Sequence, residues 1–135
     1  VVGEGLARWN NVHVHDLSDV YAALVNKAVA LDDDAELWGA RGYMFTENGE
    51  HVWSQLAKAI ARRALEKGYI ANAEPYSLTK EAALEVAGYE AVSWGWNSRS
   101  KAERARKYLG WKPSRPSIEE SIDEILEAEW ARLKK

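Results

Sequence analysis

The run His13-Val14-His15-Asp16 is the most metal-like stretch of the chain, because residues two apart on a strand project to one face and His-x-His can hold zinc or iron. A catalytic zinc needs three protein ligands and an open position. The sequence has three histidines in all, and no Glu-x-x-His pair accompanies His51. The favoured reading is a strand-to-helix junction, with Asp16 as a cap or hydrogen-bond acceptor rather than a ligand. A Tyr-x-x-x-Lys pair would set a phenol beside an ammonium that lowers its pKa for proton transfer. The spacing occurs at Tyr76 with Lys80 and at Tyr108 with Lys112. Gly110 and Pro113 break the second pair. The first begins before the expected helix cap at Ser77, so neither is expected to be catalytic. Gly3-x-Gly5 lacks the third glycine, preceding strand and following helix of a dinucleotide turn. Arg99, Lys101, Arg104, Arg106 and Lys107 spread over several faces and read as solvated surface. Arg99 differs in standing just before a helix start, where an anion would also feel the helix N-terminus.

The elements that must carry these residues follow from periodicity. Val12 and Val14 alternate with the histidines as a short strand would, and Asp16 or Ser18 is expected to cap a helix bearing Val20, Tyr21, Leu24, Val25 and Ala28. Asp32-Asp33-Asp34 reads as a solvated loop, since its spacing is not that of a calcium site. Gly42 to Thr46 is short, apolar and β-prone, and is expected to be a strand before the Asn48-Gly49 turn. Trp53, Leu56, Ala57, Ile60, Ala64 and Leu65 mark one helix face, ended by Gly68 in the left-handed conformation. A shorter helix is expected from after Ser77 to about Gly88. Ser100 with Glu103, and Ser117 with Glu120, read as capping boxes of two more helices, the first ending at Leu109-Gly110. The last has an apolar stripe of Ile118, Ile122, Ile125, Leu126, Trp130 and Leu133.

Length and composition bound the rest. At 135 residues, with 47% hydrophobic and 29% charged side chains, the chain can bury one core and is too short for a complete two-domain enzyme. Its net charge of −3 gives no general attraction for nucleic acid or an anionic membrane. Without cysteine there is no disulfide, thiolate metal site or cysteine nucleophile. With no signal-peptide pattern or long apolar run, a cytoplasmic location is the expectation. Seven Trp and six Tyr against one Phe favour rings that pack on one side and keep a polar edge reachable, which suits clefts and interfaces as well as cores. The chain opens on Val1-Val2-Gly3 without a methionine, as a fragment would. Two short strands alone make no stable sheet, so the missing strands are expected upstream.

In their order, these features resemble a known family. Trp9 to Leu17 is similar to the "VHVxDL" strand-to-helix segment of extended short-chain dehydrogenases/reductases, the NAD(P)-dependent epimerases, dehydratases and related reductases. Tyr43-Met44-Phe45-Thr46, with the helix around Trp53 to Lys67, resembles their next strand and helix. Asn97-Ser98-Arg99-Ser100-Lys101-Ala102 and then Leu109-Gly110-Trp111-Lys112-Pro113 resemble the closing "D-x-S-K-A … LGWxP" signature. The resemblance implies a helix-rich α/β C-terminal portion of a Rossmann-type protein. Residues 1–135 would be the substrate side, with the cofactor-binding domain and the catalytic Ser/Thr and Tyr-x-x-x-Lys outside this chain. It implies NAD or NADP in the intact parent, none bound by this chain, and no catalytic residue here. Trp9 stands where sugar-nucleotide epimerases commonly carry an arginine for the substrate diphosphate, and Asn97 where the signature has an acid. Both departures weaken a nucleotide-sugar assignment and leave room for a smaller, more apolar substrate.

The leading expectation is therefore the substrate-binding portion of an NAD(P)-dependent oxidoreductase or epimerase, inactive alone, with a small-molecule cleft lined by Trp9, His13, Trp94, Trp96 and Arg99. Its exposed apolar faces would favour self-association. Two rivals are a stand-alone protein-interaction module with an aromatic-rich surface, and a small metal-dependent hydrolase built on His13 and His15.

Overall fold

A computed structural model describes residues 1–134, with only the backbone described at Val92. The described residues form an α/β, helix-rich chain of five α-helices and one two-stranded sheet. It divides into two compact units.

The first unit comprises Val1–Trp9, Glu50–Arg99 and the chain from Ile118 on. Strand β1 (Arg8–Asn10), whose last residue begins the second unit, pairs with β2 (Glu50–Val52). Helix α2 (Trp53–Glu66) follows β2 without a side-chain cap. Its opening N–H groups are instead met by the chain before β1: Trp53 N donates to Ala7 O at 3.1 Å and Ser54 N to Gly5 O at 2.8 Å, which satisfies donors that would otherwise be orphaned. This contact dictates Gly5. Its φ is +66°, and a Cβ there would lie 2.9 Å from the Ser54 Cβ. Gly5 thus has a packing reason, whereas at Gly3 the positive φ of +56° alone favours glycine. Leu56 and Ala64 are buried on α2 as its periodicity predicts, and Gly68 takes φ +69° after its end. Helix α5 (Ile122–Leu133) packs on α2 through buried Ile122, a stack of Tyr69 on Trp130 at 4.5 Å, and charge pairs of Arg63 with Asp123 and Lys67 with Glu127. It starts at Ile122, beyond the Ser117/Glu120 box expected to begin it. Helix α3 (Lys80–Ala87) is capped by Thr79, whose Oγ1 accepts from Ala82 N at 3.1 Å, and it runs into a 3₁₀ segment at Gly88–Ser93.

The second unit comprises Asn10–Gly49 and Ser100–Ser117. Helix α1 (Val14–Val29) begins where a strand was expected through Val14. His13 supplies its cap, the ring Nδ1 accepting from His15 N at 3.2 Å. The expected caps do other work: the Ser18 hydroxyl donates to Val14 O at 2.9 Å, and Asp16 is fully buried. Helix α4 (Glu103–Leu109) follows Ala102, not Ser100, whose N–H and hydroxyl both bind Asn10 Oδ1. It ends at Leu109-Gly110, as the sequence indicated, with Gly110 in the left-handed conformation. Val20, Ala102, Ala105 and Trp111 form the core, with Val12, Leu24, Met44 and Leu109 against it. The strand expected at Gly42–Thr46 does not form. The segment is tethered instead by Arg104, which donates to Tyr43 O at 3.1 Å, to Arg41 O at 2.6 Å and to Glu36 Oε2 at 3.2 Å. A β-prone run needs a neighbour to pair with, and none lies beside this one among the described residues.

Candidate functional site

The first unit holds a cavity of about 500 Å³ lined by Val1, Val2, Trp9, Trp53, Ala57, Leu78 and Trp94. Four pieces of chain build it. The opening segment runs beside Leu78 in a parallel bridge, with Gly3 N donating to Leu78 O at 2.9 Å and Leu78 N to Val1 O at 2.8 Å. β1 supplies Trp9. The N-terminal end of α2 supplies Trp53 and Ala57, four apart and so on one face. The loop after the 3₁₀ segment supplies Trp94.

The indoles are fixed in different ways. Trp9 meets Trp53 edge-to-face at 5.4 Å, and its N–H donates to Trp96 O at 2.8 Å. That bond joins two others, Arg8 N to Asn97 Oδ1 and Ser98 N to Arg8 O, in fastening residues 96–98 along β1. Asn97 thus serves as a neutral acceptor for backbone. Trp53 also meets His51 edge-to-face at 4.7 Å, and its N–H is buried without a partner. Burial holds the His51 imidazole below its usual pKa, against an opposing pull from Glu119. Trp94 is 38% exposed, and its indole N–H meets no partner among the described residues.

The charges on β1, β2 and the loop at Arg99 pair with one another. Glu50 on β2 accepts from Arg99 Nε at 2.7 Å and from Arg8 Nη1 at 3.3 Å. The Arg99 hydrogen bond, helped by the two guanidinium charges, holds the Glu50 carboxyl below the ordinary glutamate range.

Of the residues singled out in the sequence, Trp9 and Trp94 come together on this cavity. Trp96 lines a second one, of about 340 Å³, with Lys80 and the backbone around Gly3 to Ala7. Arg99 lies on Glu50, and His13 belongs to the second unit as the cap of α1. Trp53, Ala57 and Leu78 were not singled out. The first two belong by periodicity to a core-facing stripe, and their partial exposure marks the difference. Tyr76 is exposed and lies outside α3, so it does not share a helical turn with Lys80. Among the described residues no three His, Asp or Glu side chains gather as metal ligands would.

One relative carries a functional name. The chain is 36% identical over 138 residues to a protein of Acremonium sp. named Oxidase ucsJ. The match takes in 98% of this chain and 40% of that protein, so the chain spans about two fifths of its relative's length. No family model and no solved structure matches the chain. The likeness is to an oxidoreductase. No helix among the described residues is long and apolar enough to cross a membrane.

Proposed function

We propose that this chain is the substrate-side portion of an NAD(P)-dependent oxidoreductase of the extended short-chain dehydrogenase/reductase kind, its substrate held in the cavity of Trp9, Trp53 and Trp94. The observation that carries the reading is where the cavity lies. Two of its walls, Trp9 and Trp94, stand beside the two segments that resemble the family's strand-to-helix and closing motifs. The likeness to a named oxidase supports the oxidoreductase part of this reading, and that relative is long enough to hold a cofactor domain besides. The second unit adds a further support. Val14, Tyr21, Val25 and Val29 recur at helical spacing on α1 and are exposed, as are Tyr43 and Phe45, so apolar surface is left for a covering domain.

In this reading the chain supplies substrate walls, and the glycine-rich turn that holds the cofactor pyrophosphate lies elsewhere. Calorimetry tests it directly. Full-length protein titrated with NADPH or NADH should give saturable heat, and the 135-residue chain none at millimolar nucleotide. A micromolar dissociation constant for the chain alone, or a full-length protein that binds neither nucleotide, overturns the proposal.

A further inference from the structure

We infer that the cavity of Trp9, Trp53 and Trp94 takes an uncharged, flat-ringed substrate carrying one oxygen acceptor, and that it refuses a phosphate- or carboxylate-bearing one. The inference rests on the reading of this cavity as the substrate site.

Charge decides the first part. The side chains lining the cavity are valine, alanine, leucine and tryptophan, none of them ionisable. The two arginines on the strand and loop that supply Trp9 and Trp94 are Arg8 and Arg99, and both are engaged by Glu50. In the longer protein of this reading, where the Val1 nitrogen is a peptide N–H bonded to Tyr76 O, an anion entering here would lose its water without gaining a counter-charge, a cost that an apolar wall cannot repay. A neutral ligand carries no such cost.

Shape decides the second part. About 500 Å³ lies within the range of pockets that enclose small organic ligands. The edge-to-face pair of Trp9 and Trp53 offers one ring face and one ring edge, against which a further flat ring packs in either of the arrangements aromatic groups prefer.

The hydrogen-bond inventory decides the third part. An indole is a donor only. The Trp9 N–H is spent on Trp96 O and the Trp53 N–H is sealed from solvent, which leaves Trp94 as the wall residue with a donor to offer. One donor fits one carbonyl or hydroxyl oxygen and orients the ring that carries it.

The probes are naphthalene, 1-naphthol, 1-naphthoate and uridine diphosphate glucose, titrated into full-length protein and followed by saturation-transfer NMR and calorimetry, with NADPH binding measured on the same samples. Naphthol should saturate, and naphthoate and the sugar nucleotide should bind at least tenfold more weakly. Trp94→Ala should weaken naphthol at least tenfold at an unchanged melting temperature. Trp94→Phe, which keeps a ring and removes the donor, should erase the preference for naphthol over naphthalene. Naphthoate or the sugar nucleotide binding as well as naphthol overturns the inference. So does naphthol binding untouched by Trp94→Ala, or no naphthol binding at all, which would leave the cavity to another segment of the protein. Protein that binds NADPH but refuses naphthol breaks this inference alone. Protein that binds naphthol but no NADPH breaks the oxidoreductase reading instead.

Discussion

Trp111 in the second unit and Trp94 in the first do opposite work. In the second, Trp111 is 5% exposed, and its indole N–H donates to Asp16 O at 2.8 Å. The Asp16 side chain is buried beside it and accepts from the backbone N–H of Ser114 at 2.9 Å and of Arg115 at 3.1 Å. Ring, donor and neighbouring acceptor are all satisfied there, and the pair locks the start of α1 to the segment after Gly110. In the first unit Trp94 is open on one side, its donor unmet, beside a volume that no side chain of the unit fills. For this pair of indoles, the partner of the N–H and the exposure of the ring together separate the tryptophan that holds the fold from the one that can hold something else.

The sharpest way to break this contrast is Asp16→Ala. It removes the carboxylate that accepts from the part-buried backbone N–H groups of Ser114 and Arg115, and the expected loss of stability for two such charge-assisted bonds is about 3 kcal/mol, read as a lower urea midpoint at unchanged slope. Asp16→Asn keeps a carbonyl oxygen in place and should cost about half as much. An alanine variant as stable as the parent would show that the lock carries no weight in the second unit.

A matched pair of substitutions comes next in size. Trp111→Phe removes a satisfied donor and part of a buried ring, with an expected cost of about 2 kcal/mol. Trp94→Phe removes a donor with no partner, and its expected cost is below about 0.5 kcal/mol. Equal costs in thermal or urea unfolding would erase the distinction drawn between the two indoles.

The sequence made some of this legible and hid the rest for physical reasons. The face of α2 bearing Leu56 and Ala64 was readable because a helix against a core must repeat its apolar residues, and Gly68 and Gly110 because only glycine adopts a left-handed stop cheaply. The caps were not. α2 takes backbone carbonyls from Ala7 and Gly5, partners about fifty residues away that no local pattern announces. Ser100 satisfies the capping-box spacing, yet its N–H and hydroxyl both go to Asn10 Oδ1, a long-range contact that no local pattern announces. Gly42–Thr46 has strand propensity and no neighbour to pair with, so propensity alone misled. For the cavity, Trp9 and Trp94 were visible through the motifs beside them. Trp53 was not, because helical periodicity assigns a residue to a face without saying whether that face meets a core or a space.

The smallest expected effect concerns charge beside the cavity, and it decides whether the first unit uses Arg99 to bind or to build. Sequence position alone points to an anion handle, and under that reading Arg99→Ala raises the Michaelis constant of the full-length enzyme at a fixed melting temperature. The structure gives the guanidinium a carboxylate, Glu50, at 2.7 Å on an exposed surface, where such pairs contribute little. The bond also sets a pH signature. Arg99 holds the folded-state pKa of Glu50 below its usual value of 4.5, so the pair stabilises at pH above 4.5 and loses that contribution as pH falls through the depressed folded value. Arg99→Ala should therefore lower the melting temperature slightly at neutral pH, with the difference from the parent closing as the solution is acidified past 4.5, while 1-naphthol binding stays unchanged. A raised Michaelis constant with no such pH-dependent difference would instead make Arg99 part of the binding wall, and the cavity would then have to be read as accepting anions.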